Sequence, residues 1–169
     1  NADGSYYASV YSSAVKDGAF TKARNIGSPV SNDKGNVEVI GLSASADRLL
    51  LYYDNPDGTG DIYLAELDKT KGYYKKPFRL DDNVNAMRGY EIAAAITADG
   101  NMLIFASNRA GGEGGVDLYR SNRLPTGKWS PPVNLGKEIN TIYDEDFPSL
   151  SPDGKMLYFS SKGHESMGG

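Results

Sequence analysis

The sequence predicts an all-β fold made of β-propeller blades, each a sheet of four antiparallel strands. Three observations carry that expectation. A motif recurs without gaps as "SADRLLLYY" (45–53), "TADGNMLIF" (97–105) and "SPDGKMLYF" (151–159), placing Asp47, Asp99 and Asp153 in one column, 52 and 54 residues apart. A repeat of that length holding four short strands has the size of a propeller blade, slightly above the ~40–45 residues of common blade repeats. Second, the 169 residues include 20 Gly and 12 Tyr; Gly supplies tight turns, and Tyr suits strands with one wet face. Third, helical periodicity is hard to find. "YEIAAAITADG" (90–100) has the alanines of a helix, yet Ala98, Asp99 and Gly100 fall in the turn column. Residues 91–97 therefore read as a strand whose small side chains allow close approach near an axis.

Residues 1–35 read as the two outer strands of one blade, "SYYASVYSS" (5–13) and "AFTKARNIGSPVS" (19–31), with Tyr7 in the column of Tyr63 and Tyr119. Residues 36–86 and 87–141 each form a whole blade. In both, a small-residue strand leads into the Asp turn and an apolar strand leaves it. A third strand follows ("GDIY", 60–63; "VDLY", 116–119), then an aromatic-to-Leu strand ("YYKKPFRLDDNVN", 73–85; "KWSPPVNLGKEIN", 128–140). Phe20, Tyr74 and Trp129 share a column and are expected to fill space between blades; Ile26, Leu80 and Leu135 share another. Residues 142–169 supply the inner strands of a further blade. There Met156, Leu157, Tyr158 and Phe159 form a nearly continuous apolar run, the pattern of a strand buried on both faces. In its turn, Pro152 presets φ and Gly154 accepts φ > 0. Three blade equivalents fall short of the roughly 4–8 of a closed ring. The expectation is a segment of a larger propeller, completed by blades of a longer chain or by a second copy of this one, two copies making a six-bladed ring.

The net charge of −4 has no block of one sign behind it, which argues against nucleic acid as a partner. The absence of Cys removes disulfides, thiolate catalysis and Cys-ligated zinc together. No apolar run approaches the roughly 20 residues of a membrane helix, so direct membrane insertion is not expected. Asp57, Asp61 and Asp117 in "DGTGD" (57–61) and "GGEGGVD" (111–117) are hard oxygen ligands, but neither loop has a calcium-binding order. Tyr53 stands where an EF-hand would start, and Asp117 comes one position late for the Gly-rich calcium repeat. Turn capping is the favoured reading, and no metal or cofactor is expected. "TGKWS" (126–130) puts Trp129 where a phosphate-binding loop needs a hydroxyl. His164, the one histidine, has no Gly-x-Ser-x-Gly elbow to serve and reads as an exposed loop residue. With no catalytic constellation, no enzyme is expected.

Asp144, Glu145 and Asp146 remain. Paired carboxylates can do acid–base work, but a solvated turn before an inner strand is the favoured reading. The aligned copy has Tyr90, Glu91 and Ile92 there, with Arg88 just before. Such positions would lie at the mouth of the channel. Arg88, Tyr90, Glu91, Tyr143, Asp144, Glu145 and Asp146 are therefore the candidate contacts for a protein partner.

"DEDFPSLSPDGKMLYFSS" (144–161), "GGEGGVDLYRS" (111–121) and "WSPPVNLGKEIN" (129–140) resemble the WD40-like PD40 repeat of TolB-type propellers, and the resemblance covers nearly the whole chain. The form with a Met-Gly-Gly turn (167–169) is similar to repeats in OmpA-family envelope lipoproteins of Bacteroidetes, such as the PorE-type component of type IX secretion. The resemblance implies a non-catalytic protein-interaction propeller, periplasmic and outer-membrane associated. Its partner would be an envelope or secretion-system protein. The first copy departs from the pattern, since Arg48 replaces the turn Gly and the turn in "DNPDGTGDIY" (54–63) is shorter. That argues against one function shared by every blade. Two alternatives stand beside this reading: an accessory propeller of a prolyl-oligopeptidase-like hydrolase, and a glycan-binding propeller using exposed Tyr and Trp.

Overall fold

A computed structural model describes residues 7–31, 35–54 and 60–165. The described residues form five antiparallel sheets and no helix. The short strands β1 (Tyr11–Ser12), β2 (Val15–Lys16), β3 (Ala19–Phe20) and β4 (Arg24–Asn25) make an outer hairpin, with β1 on β4 and β2 on β3. The first blade follows chain order: β5 (Val37–Leu42), β6 (Arg48–Asp54), β7 (Gly60–Asp68), and an outer strand in two pieces, β8 (Tyr73–Tyr74) and β9 (Phe78–Arg79), both paired with β7. Pro77, which has no N–H to give, falls in the gap between the pieces. The second blade is β10 (Ala93–Ile96), β11 (Met102–Ser107), β12 (Asp117–Asn122) and β13 (Val133–Asn134). Pro131 and Pro132 shorten its outer strand, and a bridge between Arg123 and Trp129 keeps the pairing beyond them. Last come β14 (Glu145–Leu150) and β15 (Leu157–Ser161).

The inner strands stand side by side, β10 between β5 and β14. Small residues make this possible: a Cβ added to Gly41 would lie 2.4 Å from the Ala94 carbonyl oxygen. The close approach expected of the alanine run is thus present, although the strand covers Ala93–Ile96 and not all of 91–97. Between the two whole blades lies a core of Leu50, Ile62, Leu64, Leu80, Leu103 and Phe105 with Tyr119 and Trp129; each large apolar side chain buried there contributes about 1.5–3 kcal/mol.

Trp129 fills inter-blade space as expected. Its N–H donates to the Asp81 carboxylate (2.8 Å) and its carbonyl accepts from Asn83 Nδ2 (2.7 Å), which ties the second blade to the loop leaving the first. Phe20, in the same column, is 80% exposed. The column packs only where another blade lies beside it.

One buried polar position repeats in each of the three units that have an outer strand and fixes the register. Asn85 accepts from the Ile62 N–H (2.7 Å) and donates to the Ile62 and Leu80 carbonyls. Asn140 brackets the Leu118 N–H and carbonyl in the same way, and Ser31 Oγ does so at Val10. Val10, Ile62 and Leu118 are therefore equivalent, and Tyr11, not Tyr7, shares the column of Tyr63 and Tyr119. The pairs Tyr11–Asn25, Tyr63–Arg79 and Tyr119–Asn134 agree. The four-residue correction follows from burial of Val10, because slipping a strand moves its core-facing side chain.

The run from Met156 to Phe159 is not buried on both faces. Leu157 and Phe159 pack on the second blade's cluster, while Tyr158 is 59% exposed and Met156 is exposed as well. Among the described residues nothing covers that second face.

The turn recurs by one hydrogen-bond pattern, but not in the register of the sequence columns. The Ser43, Thr97 and Ser151 N–H groups donate to the Arg48, Met102 and Met156 carbonyls, and Ala46, Gly100 and Gly154 take the left-handed backbone. Ser45, not Asp47, therefore stands in the column of Asp99 and Asp153, and Ala46, not Arg48, in that of the turn Gly. Ser45, Thr97 and Ser151 hydroxyls donate to Asp47, Asp99 and Asp153 (2.5, 2.6 and 2.6 Å). These bonds hold all three carboxyls below their usual range, and Asp47 is lowered further by Lys69, Ser43 and Arg48. A depressed folded-state pKa gives stability that is present above the unfolded value, near 3.9, and is lost as pH falls through the folded one. Urea midpoints measured as pH is lowered from neutrality should therefore fall below about pH 4, and less steeply in Asp47→Asn than in the parent. Parallel profiles would show that the Asp47 bonds do not contribute.

Candidate functional site

Arg88, Tyr90, Glu91, Tyr143 and Asp144 sit on the connections from the outer strand of one blade to the inner strand of the next, and Glu145 and Asp146 open β14 itself. Residues 86–92 and 141–144 both lie against the loop joining β11 to β12. The Tyr90 N–H donates to Asn108 Oδ1 (2.8 Å), the Gly115 N–H to the Tyr143 carbonyl (3.2 Å) and the Val116 N–H to Asp144 Oδ1 (3.1 Å).

Glu91 and Glu145, expected at the surface, are both fully buried. Glu91 Oε2 accepts from the Ala86 N–H (3.1 Å), and its Oε1 accepts from Ser107 Oγ (2.6 Å) and Arg109 Nη2 (3.2 Å). Glu145 repeats the pattern: Oε2 accepts from the Thr141 N–H (2.7 Å), and Oε1 from Thr141 Oγ1 (2.8 Å) and Ser161 Oγ (2.7 Å). Each carboxylate thus ties the loop leaving one blade to the inner strands of the next. Four acceptor sites suit it to loop amides that would otherwise be buried without partners. The solvated-turn reading is wrong for Glu145, and neither glutamate is exposed for the partner contact expected of it. In the first blade Val37 and Tyr53 take the equivalent places, with the Tyr53 hydroxyl donating to the Val30 carbonyl (2.6 Å).

Arg109 was not among the candidates and is the most connected side chain at this end. It donates to the Asn83 (2.9 Å) and Val84 (2.6 Å) carbonyls, and from Nε to Ser107 Oγ (2.9 Å). Its guanidinium carbon lies 4.8 Å from the centre of the Phe105 ring and 5.1 Å from that of Tyr119. One signal for this network was in the sequence: Glu precedes Ser by 16 residues in both later copies (Glu91 and Ser107, Glu145 and Ser161).

The other candidates reach the surface. Arg88, Tyr90 and Tyr143 are exposed, beside Ile142 and Met87, the latter 96% exposed. Asp144 pairs with Lys162 (2.6 Å), whose hydrogen bond lowers its carboxyl below the usual range. Asp146 is half-buried, and desolvation raises its carboxyl. A β-bulge between Asp146 and Ser149 interrupts the ladder. Within it Phe147 takes a left-handed backbone (φ 51) and leaves its ring 67% exposed; bulges commonly re-aim a side chain in this way. Phe147 stands between two clefts. One, of about 320 Å³, runs over the inner strands and includes Ile40, Leu42 and Ala94. The other, of about 330 Å³, is lined by Tyr90, Ile92, Val116, Asp144, Asp146 and Lys162 as well as Phe147.

The chemistry here does not assemble into a catalytic relay. Ser161 Oγ donates to Glu145 and lies 2.7 Å from His164 Nδ1, so the hydroxyl stands between acid and imidazole. Nucleophilic catalysis needs the imidazole in the middle. His164 is exposed, as expected. In the Gly-rich loop, buried Asp117 accepts from the Glu113 (2.6 Å) and Gly114 (3.1 Å) N–H groups and from Asn134 Nδ2 (2.8 Å), which is turn capping. Asp61 accepts from Arg79 Nε (2.9 Å), and Asp57 lies outside the described residues. Among the described residues no three His, Cys, Asp or Glu side chains gather as a metal would need.

No protein-family model matches the sequence, and no curated protein matches it. Among solved structures, the fold is similar to that of putative TolB from Agrobacterium tumefaciens, with a TM-score of 0.57 and 19% identity, covering 88% of this chain and 48% of that one. It is also similar to TolB from Acinetobacter baumannii, with a TM-score of 0.50 and 17% identity, covering 86% and 31%. The chain spans about half of the first protein and a third of the second. The likeness is one of fold, and that fold is the TolB-type β-propeller.

Proposed function

We propose that this chain is a non-catalytic protein-interaction propeller of the bacterial cell envelope, contacting its partner through residues 87–90 and 141–144. One observation carries the reading. Once Glu91 and Glu145 are assigned to the fold, what remains at this end is exposed and largely apolar or aromatic, namely Met87, Tyr90, Ile142, Tyr143 and Phe147. Arg88, Asp144 and Lys162 flank them. Aromatic and Met side chains with charges at the margin are the composition of protein contact surfaces. Similarity to TolB propellers supports a periplasmic location. The resemblance to Bacteroidetes OmpA-family repeats supports outer-membrane and peptidoglycan association, in the manner of a type IX secretion component.

A photo-cross-linking residue placed at Tyr143 in the bacterium that encodes the protein tests this, with Thr126 at the opposite end of the second blade as the comparison. Discrete protein adducts are expected from Tyr143 and not from Thr126, and they should be lost when Met87, Tyr90 and Ile142 are all changed to Ala. Equal adducts from both positions, or none from Tyr143, would overturn the assignment.

A further inference from the structure

We infer that the cleft between the second blade and β14–β15 receives an arginine side chain of the protein partner. The inference rests on the docking reading above and adds the chemistry of the contact. The cleft, about 330 Å³, has room for one long side chain, and Ile92 and Val116 offer apolar walls for its methylene stem. Its charges do not balance. Lys162 is held by Asp144 at 2.6 Å; the Asp146 carboxylate accepts from the Phe147 N–H (2.7 Å), and no Lys or Arg among the described residues makes an ion pair with it. Burial, the largest cause, and the neighbouring Asp144 raise the Asp146 carboxyl against the opposing pull of the Phe147 N–H and of Lys162, as expected for a half-dehydrated acid whose nearest cation is already paired with Asp144.

The ring beside it is set there at a conformational cost. Phe147 adopts φ 51 in the bulge, a backbone that bulky residues rarely take and that collects at ligand-contacting positions. In the structural register set by the turns, the two earlier copies have Val39 and Ala93 at this place, so only the third unit combines the ring with the acid. Carboxylate plus aromatic face is a guanidinium site, because the planar group can stack on the ring and bond the acid through two N–H groups at once. The molecule holds one such arrangement internally: Arg109 on Glu91, over Phe105 and Tyr119.

The test is titration of the ¹⁵N-labelled chain with Ac-Gly-Arg-Gly-NH₂, with the citrulline and lysine peptides as comparisons. Saturable amide shifts are expected at Ile92, Phe147 and Lys162 with the arginine peptide. Affinity should fall roughly tenfold or more with citrulline, less with lysine, and roughly tenfold in Asp146→Asn. Citrulline binding as well as arginine, unchanged affinity in a folded Asp146→Asn, or no saturable shifts would overturn the inference. Should Asp146→Asn fail to fold, Phe147→Leu decides, since it removes the aromatic face and keeps the bulk; unchanged affinity there overturns it too. Cross-links from Tyr143 without arginine binding would reject the cleft and keep the docking loops. Arginine binding without cross-links would keep the cleft and reject the loops.

Discussion

Arg109→Ala is expected to destabilise the folded chain by about 3–5 kcal/mol, the range for removing one partner of a buried ion pair. The loss has three sources. Glu91 is left fully buried with its cation gone, keeping only Ser107 and the Ala86 N–H. The Asn83 and Val84 carbonyls lose the guanidinium that satisfies them. The faces of Phe105 and Tyr119 lose their cover. Urea unfolding followed by Trp129 fluorescence measures the effect. A double replacement, Glu91→Leu with Arg109→Met, should recover much of the loss, because an apolar pair removes the stranded charge. A change below about 1 kcal/mol in Arg109→Ala would place the pair in the class of surface salt bridges and contradict its burial.

Phe105→Ala should cost a similar amount, about 3–5 kcal/mol. Its side chain has no exposed surface and stacks on Tyr119 with ring centroids 6.0 Å apart. It belongs to the core shared by the two whole blades, where rigid sheets on either side restrict collapse into the vacated space. Because Phe105 and Arg109 touch, their replacements should not add: the double variant should lose less than the sum of the singles by roughly 0.5–3 kcal/mol. Strict additivity would mean that the guanidinium and the ring do not support one another.

The blade repeat was legible because a Ser or Thr donating to an Asp two residues on is a local device, although in the first copy that pair sits two residues later in the turn. Ser45, Thr97 and Ser151 stand two residues before their Asp partners in the sequence as in space. What eluded the sequence depended on contacts between units. Carboxylates are rarely buried unless paired, so Glu91 and Glu145 look like surface groups until the Ala86 and Thr141 amides need acceptors. Tyr7 and Tyr11 both follow a plausible strand pattern; burial of Val10 against Ser31 chooses between them. The exposure of Phe147 had no signal, because the bulge that turns it outward is a mismatch between two strands.

Hydrogen exchange at the Ala86 and Thr141 amides tests most directly whether the two glutamates bind blade to blade. Both residues lie in connections outside any strand, where amides ordinarily exchange in the course of local opening. Since they donate to the buried Glu91 and Glu145 carboxylates, protection comparable to that of β10 and β11 amides is expected, with rapid exchange one residue further on at Met87 and Ile142. Exchange at Ala86 and Thr141 as fast as at Met87 and Ile142 would contradict the ties and return both glutamates to the surface.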